Sequence, residues 1–249
     1  MSGSLRSRLE AGDRLLGALL RLGNEELVEM VAVSGFDFVL LDTEHGPADV
    51  TELRRHLVLA ETHDVPVLVR VGGHEPAQVL RVLDAGAEGV VAPHVDTAEQ
   101  AEALVASARY PPTGVRGFAT YGRSGRYGLV DPEAHRRAAE RTLVFGMIES
   151  PAGVTERAAI VATAGLDGIM VGTADLRTAS GPDDPDPAAS LAAVHRTLAE
   201  AGAYRMDIVN GRPQAAAAFA DGARLVVYNL TATVMAHLAD LRTATPPAP

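Results

Sequence analysis

Three residue types are absent from this chain of 249 residues, and two of these absences limit its chemistry. Cysteine is absent, which excludes disulfides, a thiolate nucleophile and a zinc–thiolate site. Lysine is absent as well, since all 22 basic residues are arginine, and tryptophan is the third. A protein without lysine cannot form a Schiff base with a carbonyl substrate or with pyridoxal phosphate. A carbanion next to a carbonyl group would therefore have to be stabilised by a metal or another electrophile.

Excess basic charge and long apolar segments are also missing. The net charge of −10 argues against a nucleic-acid partner, because the basic surface that binds phosphates is lacking. No apolar stretch approaches the roughly 20 residues that span a bilayer. The segment Met1–Arg14 is charged and has no apolar core of the signal-peptide type. We therefore expect a cytoplasmic protein that binds neither membranes nor nucleic acids.

Short apolar runs alternate with helical patterns along the whole chain. Such runs are typical of parallel strands that are buried on both faces and joined by crossover helices. Eight strand–helix units in a chain of this length predict one (β/α)8 TIM barrel over residues 1–245, with a disordered tail at 246–249. An open doubly wound sheet is the alternative, but no Gly-x-Gly-x-x-Gly opens a helix. The predicted strands are Leu15–Leu20, Phe36–Leu41, Val67–Val71, Gly89–Ala92, Leu143–Ile148, Gly168–Val171, Ala203–Ile208 and Ala223–Tyr228.

Charged side chains follow several of these strands at the same end. The carboxyl ends of barrel strands converge on one mouth, so these side chains should lie close together. Buried charge is costly unless it is paired, bound to a metal or used in a reaction. This face of the barrel is therefore predicted to be a reaction site. The residues in this position are Asp42, Glu44, His45, Arg70, Glu149 and Asp175.

Glu149 and Asp175 follow adjacent strands and form the predicted metal site. Hard oxygen ligands without cysteine suit Mg²⁺ or Mn²⁺ better than zinc. Either carboxylate could instead cap a helix or pair with an arginine. Their matching positions at two strand ends favour a shared metal ion.

His45 is the predicted general base, because a carboxylate nearby, here Asp42, fixes the imidazole tautomer and raises its basicity. Arg70 ends a buried strand, where its guanidinium could hold a carboxylate or an oxyanion in bidentate fashion, or pair with a site carboxylate. His94, after Val-Val-Ala-Pro, is a second candidate. The histidines that we interpret as surface or packing residues are His56, His63, His135, His195 and His237.

Two long connections stand out, Arg109–Asp131 and Thr178–Pro187. The first contains Arg116, Arg123 and Arg126 without an acidic residue between Arg109 and Val130, in a protein of net charge −10. Such a basic patch would attract an anionic substrate. We expect these two connections to lie at the carboxyl side of the barrel, where long loops are usually functional or disordered.

Five segments together resemble one family, the class II, metal-dependent HpcH/HpaI-type aldolases, which cleave and form hydroxylated 2-oxo acids. The resemblance runs from about Leu16 to Leu241. Any one segment alone would be a weak signal, whereas the five together are specific. They are Gly35–His45, Val69–Arg70, Arg109–Gly117, Ile148–Ser150 and Val171–Leu176.

This resemblance implies a (β/α)8 barrel whose last helix is exchanged between subunits of a homo-oligomer, a hexamer built as a trimer of dimers. It implies Mg²⁺, or Mn²⁺ or Co²⁺ in its place, on Glu149 and Asp175. Pyruvate or another 2-oxo acid would chelate the ion, with its carboxylate near the amides of Ala174 and Asp175. Arg70 would steady the oxo or enolate oxygen, and His45, oriented by Asp42, would be the acid–base group that releases an aldehyde.

Several positions depart from the family pattern. Met147 lies two residues before Glu149 on the same strand face, where many relatives have a glutamine that supports the substrate, and methionine cannot donate a hydrogen bond. Thr173 replaces the usual proline, and Val227–Thr231, which includes Leu230, lacks an acidic residue. These changes leave the metal pair intact and open the question of the substrate.

Three functions are consistent with the sequence. The first is a carbon–carbon lyase that acts on a 2-oxo acid, with Arg116 holding a distal carboxylate of the substrate. The second is condensation of oxaloacetate with an acetyl thioester, because residues 116–123 are similar to a siderophore-pathway citrate synthase on the same scaffold. The third is a catalytically retired barrel that binds an oxo acid.

Overall fold

The strands of this protein form a closed parallel barrel. The computed structural model describes residues 3–21, 23–46 and 49–244, so the predicted tail lies outside the described residues. The eight strands pair in sequence order, and β8 closes the barrel against β1. This topology confirms the predicted (β/α)8 fold. The strands are β1 Leu15–Leu20, β2 Phe38–Asp42, β3 Val67–Arg70, β4 Gly89–Ala92, β5 Leu143–Ile148, β6 Gly168–Val171, β7 Tyr204–Val209 and β8 Leu225–Asn229.

Helices connect the strands around the outside of the barrel. A capping box opens α5, with the side chains of Thr97 and Gln100 each bonded to the other's backbone amide. Among the described helices, none combines the length and apolarity needed to cross a membrane. The helices are α1 Leu5–Glu10, α2 Glu25–Val33, α3 Val50–Thr62, α4 Pro76–Asp84, α5 Ala98–Ala108, α6 Pro132–Glu140, α7 Pro151–Val161, α8 Thr173–Ala179, α9 Pro187–Ala201, α10 Arg212–Ala220 and α11 Leu230–Arg242.

Side chains alternate along each strand between two apolar layers. One layer fills the barrel and includes Phe38, Leu40 and Phe145, whereas the other packs beneath the helices and includes Val39 and Val144. The alternation follows from the two-residue period of a strand. Continuing the inward series of β2, β3 and β5 by two residues leads to Asp42, Arg70 and Glu149, so the strand period points these side chains at the barrel mouth. Helix α1, which the sequence analysis did not predict, places Leu5 and Leu9 in the inner layer.

The connection Arg109–Asp131 does not lie where we expected it. The Arg109 guanidinium donates to the carbonyl of Thr142, immediately before β5, at 2.9 Å. Arg116 pairs with Asp84, the last residue of α4. Helix α5 runs back from the barrel mouth, so the segment that follows it lies at the amino end of the strands in its own subunit. The expectation that this loop lies at the carboxyl side was therefore wrong for a single subunit.

Candidate active site

Asp42 and Arg70 end two neighbouring strands and form a buried ion pair inside the barrel mouth. They are paired in register between β2 and β3. Arg70 donates through Nε to Asp42 Oδ1 at 2.9 Å, and through Nη2 to Oδ2. Only 1% of Asp42 and 3% of Arg70 is exposed. The guanidinium of Arg70 is therefore held in one orientation at the centre of the mouth.

The Asp42 carboxylate is also bound by groups other than Arg70. Arg21 donates through Nε to Oδ2 at 2.8 Å. The backbone amides of Glu44 and His45 donate to Oδ1 at 3.1 and 3.3 Å. Burial opposes ionisation, but the hydrogen bonds and the charge of Arg70 outweigh it, so the pKa of Asp42 lies below its ordinary value. Asp42 is thus a fixed anion that organises the mouth.

The predicted pairing of Asp42 with the His45 imidazole is not formed in the structure. Asp42 accepts from the His45 backbone amide, and its two oxygens are already shared by two guanidinium groups. The His45 ring lies instead with Nε2 3.8 Å from Glu44 Oε2. About half of the side chain is exposed, and it lines the cavity described below. The expectation that Asp42 orients this ring is therefore wrong within the subunit, although a catalytic role for His45 stays a prediction.

Glu44, His94 and Glu149 bring a group of possible metal ligands together beside Arg70. Each offers one ligand atom, and these atoms all lie within 4.8 Å of one another. Glu149 Oε1 accepts the backbone amide of His94 at 2.8 Å and lies 3.3 Å from His94 Nδ1. Glu44 Oε2 is 3.1 Å from Arg70 Nη1. Two carboxylates and one imidazole therefore converge at the ends of three strands.

The electrostatics of this group favour a cation. Glu149 is 3% exposed, and burial raises its pKa. The amide of His94 opposes that rise, whereas the negative charges of Glu44 and Asp175 add to it. Glu44 Oε2 is buried and accepts no well-aligned hydrogen bond among the described residues, although Arg70 Nη1 lies 3.1 Å from it. A divalent cation would compensate these charges and occupy the unsatisfied oxygen. The donor set therefore fits a divalent metal ion.

Gly172 makes room for the Glu149 side chain. It follows β6, next to the end of β5 that carries Glu149. A Cβ atom at position 172 would collide with the Glu149 carboxylate and would lie 2.8 Å from Glu149 Cβ. Only glycine allows this close approach. The location of the carboxylate therefore depends on the absence of a side chain on the neighbouring strand.

Asp175, the second predicted metal ligand, lies in the first turn of α8 and is exposed. Its charge raises the pKa of Glu149, which shows that the two carboxylates influence each other. It is not one of the three residues whose ligand atoms lie within 4.8 Å. Ligation by Asp175 stays a prediction.

A cavity of about 860 Å³ opens over the barrel mouth. The predicted residues that line it are His45, Arg70, Met147, Ala174 and Asp175. The Met147 sulfur lies 3.9 Å from Arg70 Nη1, so the floor of the cavity beside the guanidinium is apolar. The structure therefore brings most of the predicted catalytic and substrate-binding residues to one space.

Arg21 and Asn229 are among the cavity residues that were missed in the sequence. Arg21 Nη1 donates to Asn229 Oδ1 at 3.0 Å. A usable signal was present, since Arg21 lies two residues after the inward-facing Leu19 and Asn229 two residues after Val227. The same two-residue step that identifies Asp42 would have identified them.

Arg116 is not among the residues that line the cavity. Its side chain is buried, its Nη2 lies 2.7 Å from Asp84 Oδ1, and its Cζ lies 4.7 Å from the centre of the Tyr110 ring. Within one subunit, the carboxylate of Asp84 and the ring of Tyr110 already use this guanidinium at the amino end of the barrel. The predicted substrate contact of Arg116 is thus not formed by a single subunit.

Comparisons with known proteins agree with this geometry. A sequence model of the family described as HpcH/HpaI aldolase/citrate lyase matches residues 16–237. The chain is 36% identical over 194 residues to a pyruvate aldolase of Rhizobium etli, which covers 78% of this chain and 76% of that protein.

Solved structures extend the similarity to nearly the whole chain. A HpcH/HpaI aldolase/citrate lyase family protein from Burkholderia cenocepacia superposes with a TM-score of 0.89 at 28% identity, over 98% of this chain and 99% of the other. The citrate synthase SbnG superposes with a TM-score of 0.84 at 28% identity, over 97% of both chains. The protein described here belongs to the HpcH/HpaI aldolase/citrate lyase family and is a carbon–carbon lyase of the class II aldolase type.

Proposed function

We propose that this protein cleaves and forms hydroxylated 2-oxo acids, with pyruvate or a close analogue as the oxo-acid product. The observation that carries the proposal is the juxtaposition of two features in one mouth. One is the ligand group of Glu44, His94 and Glu149, and the other is the fixed guanidinium of Arg70. The relative named pyruvate aldolase supports the choice of oxo acid.

The cation would be held by Glu149, with further ligand atoms from Glu44 and His94. Asp175 lines the cavity over the barrel mouth and is the remaining candidate ligand. When bound, a divalent ion polarises an oxo group and stabilises negative charge on its oxygen. Mg²⁺ is our first choice, with Mn²⁺ or Co²⁺ as alternatives, and the imidazole of His94 adds a nitrogen donor that Mn²⁺ and Co²⁺ accept readily.

Arg70 would bind the oxo oxygen of the substrate and the enolate oxygen that replaces it. Its Nε and Nη2 are occupied by Asp42, which leaves Nη1 directed towards Glu44 and the cavity. A preorganised cation in a partly dehydrated mouth stabilises developing negative charge without reorganisation. The apolar Met147 keeps that side of the oxo acid out of water.

His45 would move the proton of the substrate hydroxyl group. In cleavage, its imidazole removes that proton while the carbon–carbon bond breaks, an aldehyde leaves, and the electron pair stays on the oxo acid as an enolate. The enolate then takes a proton at carbon from water, and the protonated His45 returns its proton to solvent. The His45 ring lines the cavity and is half exposed, so both substrate and solvent can reach it.

The test is the double variant Glu149→Ala with Asp175→Ala, assayed for release of pyruvate and for decarboxylation of oxaloacetate with and without Mg²⁺. We expect loss of metal-dependent activity, whereas the matched control Asp183→Ala, an exposed acid in the connection after α8, should keep it. A second variant, His45→Gln, should bind Mn²⁺ like the wild type and yet fail in cleavage. Full activity in EDTA would reject the mechanism.

A second candidate function is the condensation of oxaloacetate with an acetyl thioester. The superposition on the citrate synthase SbnG over nearly the whole chain favours it. Incubation with oxaloacetate and acetyl-CoA separates the two functions, because free thiol appears only in the condensation. Metal binding without turnover on a broad panel of oxo acids and aldehydes would instead indicate a retired barrel.

We also propose that α11 is exchanged between subunits of a homo-oligomer. None of its described residues is buried, and four of its large apolar side chains are 41–58% exposed. An uncovered apolar helix face of this kind marks an interaction surface. Light scattering of the wild type and of Leu238→Glu should show loss of the oligomer in the variant, and a monomeric wild type would refute the exchange. The exposed apolar residues are Val234, Met235, Leu238 and Leu241.

A further inference from the structure

Arg21 is the feature of the mouth that the proposed mechanism leaves without a role. It comes directly after β1, and its guanidinium lines the cavity together with His45 and Arg70. The side chain is 25% exposed, so it is neither buried in the core nor free in solvent. This partly exposed arginine lies beside the reacting groups.

Arg21 shares its carboxylate partner with a second arginine. Its described ion-pair partner is Asp42, and that carboxylate is already engaged by the two-pronged contact from Arg70. Among the described residues, no second carboxylate lies within 4.0 Å of Arg21. Glu44 pairs with Arg70 and not with Arg21, so Arg21 has no carboxylate of its own among the described residues. An anionic ligand would supply that partner.

The Arg21 guanidinium has donors left and is held in place. Nε donates to Asp42 and Nη1 to Asn229, so two of its five N–H groups are used among the described residues. Asn229 is itself fixed, since its Oδ1 also accepts the amide of Ala232 at 3.3 Å. A preorganised fork of this kind binds a carboxylate with little loss of side-chain entropy.

The position of Arg21 points to the acceptor half of the substrate. The turn that carries His45 packs against it, since a Cβ atom at Gly46 would lie 3.0 Å from the Arg21 carbonyl oxygen. Arg21 and Arg70 both donate to Asp42, and they follow β1 and end β3, respectively, the strands on either side of β2. If Arg70 holds the oxo acid and His45 the reacting hydroxyl, Arg21 lies where the other end of a short aldehyde would be. We infer that Arg21 binds a carboxylate on the acceptor aldehyde and selects for acceptors that carry one. This inference rests on the proposed aldolase function.

The main experiment compares two acceptors of equal length, succinic semialdehyde and butanal, in aldol addition of pyruvate with Mg²⁺. In Arg21→Leu, we expect the ratio of their kcat/KM values to fall about 10- to 100-fold, the loss expected for a charge-assisted hydrogen bond. Most of this loss should be in KM for succinic semialdehyde. If Arg21→Leu folds poorly, Arg21→Gln takes its place, because glutamine keeps an amide donor for Asp42. The glutamine variant should show the same loss.

Arg177→Leu is the matched control. Arg177 also lines the cavity but lies on α8 and is exposed, so it reports the effect of general positive charge. We expect it to leave the ratio within about threefold of the wild type. A fall of the ratio in Arg177→Leu as large as that in Arg21→Leu would overturn the assignment to Arg21.

Exchange of the pyruvate methyl protons in D2O, without any acceptor, separates this inference from the proposed function. Wild type and Arg21→Leu should exchange at similar rates, because Arg21 is assigned to the acceptor. Loss of exchange in Arg21→Leu alone would mean that Arg21 only positions Asp42, which overturns the inference.

Absence of exchange in the wild type would instead refute the proposed function. The assignment of Arg21 is then tested by calorimetry, which measures the binding of butyrate to protein saturated with Mg²⁺ and pyruvate. Binding should be lost in Arg21→Leu and kept in Arg177→Leu, and equal affinity in all three proteins would overturn the inference.

Discussion

Replacing Gly172 with alanine tests whether the position of the Glu149 carboxylate controls metal binding. The new Cβ atom would collide with that carboxylate and lie 2.8 Å from Glu149 Cβ. Carbon atoms in contact prefer separations of about 3.5–4.0 Å, so the Glu149 side chain must move by about 1 Å. Because Glu149 is 3% exposed, the space into which it can move is limited.

The expected effect has two parts. Displacing the surroundings of a metal ligand typically lowers metal affinity by about 10- to 100-fold, and we expect that range for Mn²⁺. Overpacking of a buried site costs about 1–3 kcal/mol. For a chain of this size, that cost lowers Tm by about 2–12 °C. Folding should therefore survive at room temperature while metal affinity falls.

The assay is a titration with Mn²⁺ that follows the free ion by electron paramagnetic resonance, with Tm measured on the same samples. Gly211→Ala is the matched control, since Gly211 is also the residue before a helix at the carboxyl side of the barrel. A Cβ atom there would find its nearest neighbour, in Pro213, at 3.9 Å. The control should bind Mn²⁺ like the wild type. If Gly172→Ala also binds it with unchanged affinity, Glu149 is not a metal ligand.

Three further predictions follow from the buried charges and the cavity floor. Asp42→Asn leaves the buried Arg70 cation without its main partner, so the free energy of unfolding measured in urea should fall by about 3–5 kcal/mol. The surface control Asp13→Asn should lower it by less than about 1 kcal/mol. Burial raises the pKa of Glu88, so the folded protein binds that proton more tightly than the unfolded chain and stability falls as pH rises between the two pKa values. The Tm of Glu88→Gln relative to the wild type should therefore increase from about pH 4 to pH 7, and a constant difference would contradict this reasoning. Met147→Gln places an amide beside Arg70 and should lower KM for pyruvate while Tm falls slightly, whereas an unchanged KM would exclude a substrate contact at this position.

Most of the barrel could be predicted from the sequence because its strands are covered on both sides. A strand of this kind must be apolar at every position, and Leu143–Ile148 was predicted with the bounds that the structure shows. Helix α1 could not be predicted in this way, since four of its six residues are charged or polar. It is explained by tertiary contacts, because Leu5 and Leu9 are buried in the inner layer of the barrel.

The residues of the candidate site could also be predicted from local sequence patterns. Asp42, Arg70 and Glu149 each continue an inward series, which the two-residue period of a strand reveals without any knowledge of neighbours. Arg21 obeys the same rule. It was missed because no acidic residue or histidine directly follows its strand, Leu15–Leu20. Its importance became visible only through contacts with Asp42 and Asn229.

The sequence by itself determined the eight apolar runs and the polar residues that follow them, because both depend on the alternation of neighbouring positions. Only the tertiary structure decided which charged groups meet. A carboxylate accepts a limited number of donors, and Asp42 is satisfied by arginines 21 and 28 positions away along the chain and by nearby backbone amides, which leaves none for the His45 ring. The direction of α5 likewise carried Arg116 to the amino end of its own barrel, where Asp84 neutralises it. Pairings between distant segments depend on the whole fold, and no local pattern encodes them.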